Sequence, residues 1–182
     1  MAKPFDKLRR TDRQEPDTAF LHLMLHNSVS CTVAIPTDDF PLIHATFFMY
    51  DGENNEVMFH FSKYGFGGQE IKNDKKVAIS IYKYGKLYTA EKAVDFGGEY
   101  QSVVIYGRIR VVEETEEKMH AMKVFFHKFF SHTPQTDYQD FTQTEANPIY
   151  VVKVKIEHWF GKQHLVPAKA KSSFYPVPGP TI

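Results

Sequence analysis

The chain has a single cysteine, Cys31, in 182 residues. No intrachain disulfide can form, and a reducing, cytoplasmic setting is the expectation. Net charge is also missing. The 22 Lys and Arg balance 22 Asp and Glu, and the signs are interleaved along the chain. No basic face is built, so general nucleic-acid binding is disfavoured. No apolar run approaches the roughly 20 residues that span a bilayer. The opening MAKPFDKLRRTDRQEPD lacks the apolar core of a signal peptide, so no membrane partner is expected. Neither a strand–GxGxxG–helix dinucleotide fingerprint nor an HExxH zinc motif occurs.

What remains is 42% hydrophobic and 24% charged, a composition of one soluble globular domain. Aromatic residues make up 15%, with sixteen Phe and ten Tyr. That richness suits a β-sheet core or a flat cleft for a ring.

The stretch VMFHFSKYGFGGQEIKNDKKVAIS, Val57 to Ser80, is the most informative. It starts as a strand, with Val57, Phe59 and Phe61 on one side and Met58, His60 and Ser62 on the other. It breaks at Gly65, Gly67 and Gly68. A short helix is predicted at about 69–74, then a strand at about 76–82. A glycine-rich turn feeding a helix start suits a phosphate, because glycine lets backbone N–H groups converge and the helix end has unpaired donors. Ser62, Lys63 and Lys72 add donors and charge. The competing reading is a plain surface loop.

Around this unit, Asp17 caps a predicted helix at 18–27. His22 and His26 share a face there, and a polar face explains them better than zinc does. Strands are predicted at 28–35 and 40–50. Cys31 reads as a small core residue rather than a nucleophile. Residues 82–91 read as a strand end, a turn and a short strand. A long strand follows at 100–113, with a bulge or bend expected at Gly107. The strongest helix is 116–131, capped by Thr115. Its expected buried stripe is Met119, Met122, Phe126, Phe129 and Phe130, with Phe125 at the margin. A polar connector covers 133–148. A last strand at 149–160 points Val152, Val154 and Ile156 inward and Lys153, Lys155 and Glu157 outward. A Pro-rich tail closes the sequence. The domain plan is an arm at 1–16, one domain at 17–162 and a tail at 163–182. Hairpin-linked strands at this density predict a mainly β barrel with flanking helices.

Four pieces carry a resemblance: LRRTDR at Leu8 to Arg13, CTVAI at Cys31 to Ile35, FHFS at Phe59 to Ser62, and YQSVVIYGRIRVVEETEEK at Tyr100 to Lys118. In this order they resemble the pyridoxamine-phosphate-oxidase-like split barrel that binds FMN, within it the nitroimidazole-resistance branch. The resemblance implies a six- to seven-stranded antiparallel split barrel and a homodimer with flavin between the subunits. It also implies reduction of small electron-poor compounds, with NAD(P)H as donor. His60, Phe61 and Ser62 would line the flavin edge, with Thr46 and Phe47 from the neighbouring strand. Gln101 and Ser102 would reach the ring or phosphate, and Trp159 would wall the site across the dimer or simply pack in the core. His60 is the candidate catalytic residue. Lys63, Lys72 or the backbone nest of Gly65, Gly67 and Gly68 would hold the phosphate, with the arginines of the opening arm as another source, because Gly67 stands where the family usually has a basic residue. Two other readings stay open: a non-enzymatic flavin store or sensor, and a haem-binding relative on the same barrel.

Overall fold

The computed structural model describes residues 10–15 and 17–176. Most of the basic arm, residues 1–9 and Pro16, and the end of the tail lie outside the described residues. After a 3-10 turn at Thr11–Arg13, the elements run β1 (Gln14–Glu15), α1 (Thr18–Asn27), β2 (Ser30–Ile35), β3 (Leu42–Phe47), β4 (Met49–Asp51) and β5 (Glu56–Ser62). Then come α2 (Phe66–Glu70), β6 (Lys76–Thr89), β7 (Gly97–Val112), α3 (Thr115–Phe130), α4 (Gln143–Ala146), β8 (Ile149–His164) and β9 (Ser172–Phe174).

Seven antiparallel strands form one path, β3-β2-β6-β7-β8-β5-β4, with β1 added beside β8 and β9 beside β6. The two ends of this path are consecutive in the chain, with only Phe48 between them. The sheet must therefore curl until its edges approach. No ladder among the described residues joins β3 to β5, so the barrel is split there. The gap is bridged by side chains: His44 stacks on Phe61 with ring centroids 4.2 Å apart.

Alternation then sorts the residues. Val57, Phe59 and Phe61 point into the barrel with Val33, Ile79, Ile105 and Val154, and α1 plugs one end with Leu21, Met24 and Leu25. Asp17 caps α1 by accepting from the Ala19 N–H. Val152, Val154 and Ile156 are buried, as their alternation predicts. At Gly107 the register between β7 and β8 shifts. A Cβ there would stand 2.1 Å from the Lys155 carbonyl, so the bend expected at this glycine is a close backbone approach.

Four local expectations change. The run 40–50 is two strands, because Phe48 is fully buried at the point where the chain leaves β2 and joins β5. The expected turn within 82–91 is absent, since β6 continues through Gly85 with only an irregularity between Tyr84 and Leu87. The connector 133–148 contains α4, held by a capping box of Thr142 and Glu145. Helix α3 begins at Thr115 with Glu114 as its cap, and its buried stripe is rotated. Lys118 and Ala121 are buried, and Met122, Phe125 and Phe129 pack on Met49, Met58, Val112 and Val151. Phe126 and Phe130 lie instead on the outer flank, Phe126 against Tyr138 at 4.8 Å.

Two lysines lie on the rotated face. Lys118 Nζ donates to the Ile149 carbonyl, and Lys128 Nζ donates to the carbonyls of Ser28 and Phe48. Both sit on the packed face because a lysine stem is apolar and its head can serve buried carbonyls. Burial pushes both amines below the usual lysine range.

Candidate functional site

The inward residues of β2, β6, β7 and β8 are core, so the alternate ones form the outer face. Register aligns them in rows. Ala45, Thr32, Ser80, Val104 and Phe160 stand side by side across β3, β2, β6, β7 and β8. Ile43, Ala34, Ala78, Tyr106 and His158 form the next row. A third holds Tyr82, Ser102 and Lys162, and a fourth Tyr84, Tyr100 and His164. The middle strands thus carry small residues, Thr32, Ala34, Ala78 and Ser80. Large side chains flank them, with Ile43, Phe47, Tyr82 and Tyr84 exposed. The result is a flat strip with a low floor, aromatic borders and hydroxyl groups along its length. Such a surface can receive a flat, partly polar ring or another sheet.

Helix α3 covers a different part of the outer face. His60 lies under it, half-buried and edge-on to Phe125 at 5.2 Å. Its Nδ1 is buried without a hydrogen-bond partner among the described residues. Burial holds the imidazole below its ordinary titration range. Rings run in sequence from His60 to Phe125, Phe129 and Phe47, so His60 and Phe47 stand at two ends of one aromatic row.

The glycine turn follows β5. Helix α2 starts at Phe66 rather than near 69, with Gly65 as its cap. No glycine among the described residues has positive φ. The glycine turn therefore runs straight into a helix start, with Gly67 and Gly68 already helical. Both also serve close packing. A Cβ at Gly68 would meet the Ser62 carbonyl at 2.1 Å, and one at Gly67 would meet the Phe61 ring at 2.8 Å. Ser62 is exposed and its hydroxyl accepts from the Tyr64 N–H. The Lys63 amine lies 5.2 Å from the Tyr150 ring centroid. Lys72 is exposed beyond α2.

The other predicted residues fall in separate places. Phe61 points into the core. Thr46 donates to the Phe47 carbonyl and has the inward parity of β3, whereas Phe47 is outward. Ser102 is on the strip. Gln101 has inward parity at the barrel end, where it donates to Gln163, which in turn donates to Glu15. Trp159 packs at the core margin, edge-on to His22 at 5.1 Å. His22 is held by the Tyr50 hydroxyl at 2.8 Å, and His26 stands edge-on to the same ring, so the pair is used in packing. The Cys31 thiol is buried and pushed up to about 12 by that burial, which leaves it unreactive at neutral pH. The small residues Thr32, Ala34, Ala78 and Ser80 were missed as a group. Their only sequence signal is a small residue at alternate positions of two separate strands.

No curated protein matches the chain. Solved structures do match it. The flavocytochrome Anf3 from Azotobacter vinelandii is 17% identical with a TM-score of 0.79, over 96% of this chain and 87% of that one. The FAD and heme binding protein from Mycobacterium smegmatis is 16% identical with a TM-score of 0.73, over 92% and 77%. A candidate 5-nitroimidazole antibiotic resistance protein from Bacteroides thetaiotaomicron is 19% identical with a TM-score of 0.64, over 82% and 86%. At these identities the likeness is one of fold. The family model described as pyridoxamine 5'-phosphate oxidase matches residues 17–163, a span from the cap of α1 nearly to the end of β8, and by that match the chain belongs to the pyridoxamine 5'-phosphate oxidase family.

Proposed function

We propose that this chain binds FMN and works as a flavin-dependent oxidoreductase on small electron-poor compounds, as a homodimer with the flavin between subunits. The observation that carries the reading is the flat strip of Thr32, Ala34, Ala78 and Ser80 between aromatic borders, on the outer face of a barrel from a flavin-binding family. When bound, the flavin supplies the electron transfer. The chain's own residues position it. Small floor residues let a ring lie close to the sheet, while Thr32, Ser80 and Ser102 offer hydroxyls to its polar edge. Phe47, Tyr82 and Lys162 border it, and a second copy covers it, bringing its own aromatic surface. Ser62, Lys63, Lys72 and the start of α2 hold the phosphate end. His60 positions the acceptor in this reading: burial lowers its imidazole below the ordinary range, which favours the neutral ring, in which one nitrogen donates a hydrogen bond while the other accepts.

The test is the visible spectrum of the purified protein, together with its mass in solution. A flavin band and a mass of two chains are expected. Ser80→Phe fills the strip from an exposed position and should remove flavin while leaving the far-UV spectrum and melting temperature unchanged. Colourless protein that takes up no added FMN ends the reading. His60→Ala should lower turnover more than flavin content, whereas Ser62→Ala and Lys63→Ala should mainly loosen the flavin. A storage or sensing role is separated by reducing the bound flavin and following its reoxidation. If no acceptor outpaces dissolved oxygen, storage is favoured over catalysis.

Haem is the second reading, supported by the names of two structural relatives, one a flavocytochrome and one a FAD and heme binding protein. His158 stands on the strip face and would be the axial imidazole. A Soret band that His158→Ala abolishes would establish it.

A further inference from the structure

A second cavity lies beyond the strip, at the end of the barrel where the arm and the tail meet. Its volume is about 740 Å³, within the range of sites that enclose a nucleotide-sized ligand. Three distant segments build it: Arg10 and Arg13 from the arm, the stretch Ala90 to Phe96 after β6, and Pro167 to Lys171 from the tail. Its charge is unlike that of the neutral chain. Arg10, Arg13, Lys92, Lys169 and Lys171 line it against two carboxylates, Glu91 and Asp95. Arg10 is satisfied by Asp12 at 2.6 Å. Lys92, Lys169 and Lys171 have no carboxylate partner among the described residues. Arg13 lies over the Tyr100 ring at 5.9 Å and donates to its hydroxyl at 3.5 Å, and its Nε, buried without a hydrogen-bond partner among the described residues, stands 4.0 Å from the Asp12 carboxylate.

The cavity also has flat, apolar lining. Phe96 is half-exposed, and Tyr88 hydrogen-bonds His164 at 2.7 Å. Guanidinium and ammonium groups beside an aromatic ring are what a diphosphate joined to a base requires. Position adds to this. Tyr100 and Val104 share the outer face of β7, four residues or about 13 Å apart. Tyr100 stacks near Tyr82 at the end of the strip and stands beneath Arg13 at the mouth of the cavity.

We propose that this cavity binds the adenosine diphosphate end of a dinucleotide whose other end reaches the strip. The diphosphate lies among Arg13, Lys169 and Lys171, and the base packs against Phe96. The choice of a dinucleotide rests on the flavoprotein reading above, whereas the anion site rests on the cavity alone. The same chemistry belongs to a reduced nicotinamide donor and to FAD, whose phosphates would then lie in this cavity rather than beside α2. His164 fits the arrangement: burial, then Arg13 and Arg10, hold its imidazole below its ordinary range, and an arriving diphosphate would relieve the effect of the two cations.

The experiment is calorimetric titration of ADP into the full-length protein as purified, and into the double variant Lys169→Glu/Lys171→Glu. Both lysines are exposed, so the variant should melt at the same temperature. Binding is expected in the wild type, weakened at least tenfold in the variant and weakened by added salt. If ADP at millimolar concentration gives no heat, or binds the variant equally well, the proposal is overturned. Two further arms identify the source. Should FAD bind at least tenfold tighter than FMN, and the variant erase that difference, the cavity serves the flavin itself. Should the two flavins bind alike, while ADP slows NADH-driven reduction of the FMN-loaded protein, it serves the donor. ADP binding by a protein that takes up no flavin would keep the anion site and remove the flavoprotein reading.

Discussion

At the scale of single residues, the buried polar groups decide what can be tested. Lys128 spans the point where β3 gives way to β4, donating to Ser28 and Phe48. Lys128→Met keeps the stem and removes the donor, leaving two carbonyls short of a partner. It should cost about 1–3 kcal/mol in urea unfolding. An unchanged midpoint would mean that the amine's desolvation cancels its hydrogen bonds. Gly68→Ala should cost at least about 1–3 kcal/mol, because the added methyl meets backbone at Ser62 and Lys63 rather than a side chain that can swing away. If Gly68→Ala melts like the wild type, α2 does not pack on β5 as described.

His60 bears on stability and, in the proposed reading, on turnover. Burial lowers its folded pKa below the unfolded value near 6.5, and His44 across the split is lowered by burial and by His60. For such groups the unfolded state binds protons more readily. Their contribution is complete above about pH 6.5 and is lost as pH falls below it. Urea midpoints should therefore decline between pH 7 and 5. His60→Phe removes the unpaired Nδ1 and should flatten that slope. An equal slope in the variant would assign the decline to other groups. Glu117 acts in a separate, lower window. Arg110 and then Lys153 hold its carboxyl at about 2, so that contribution is lost only as pH falls from about 4.5 towards 2.

At the scale of elements, α3 shows what periodicity reveals and what it hides. Its existence and length were legible from the spacing of Met and Phe. Its rotation was not, because lysine is read as an outward residue. The packed face runs through Lys118, Ala121, Met122, Phe125, Lys128 and Phe129, and each lysine donates to backbone carbonyls, Lys118 to Ile149 and Lys128 to Ser28 and Phe48. Phe125→Ala should therefore cost roughly 2–4 kcal/mol, and Phe126→Ala less, in equilibrium unfolding. The reverse order would restore the face expected from sequence. The division of 40–50 into β3 and β4 has the same kind of cause. The run is continuous in pattern, and only its two pairing partners, β2 and β5, show that it turns a corner at Phe48.

At the scale of the whole molecule, one curled sheet presents three outer surfaces. One is covered by α3, one is the open strip, and one is the cationic cavity between arm and tail. In the proposed dimer the strip would receive the second copy: a flat face bordered by exposed Tyr82, Tyr84 and Phe47 is apolar enough to associate. The tail contributes to the third surface by pairing β9 with the end of β6, so its prolines leave it extended along its own barrel among the described residues. In flavin-loaded protein the strip and the cavity should respond differently to salt. Ring binding at the strip should change little between 50 and 500 mM, and ADP binding should weaken, because the Debye length shrinks from over 10 Å to a few ångströms. Equal responses would place both ligands in one electrostatic environment.

The split-barrel class came from the family resemblance, whereas local rules were enough for the alternation of β5 and β8, the bend at Gly107, the Asp17 cap and the mainly β content. Each depends on near neighbours in the chain, where sterics and the two-residue period of a strand already constrain the outcome. The direction in which α3 turns its face, the early start of α2 within the glycine turn, and the assembly of the strip and the cavity were decided by tertiary structure. Those features join β2 to β6, or Arg13 to Lys171, across most of the chain. Such distant pairs are set by how the sheet closes on itself, and no spacing within one segment encodes that closure.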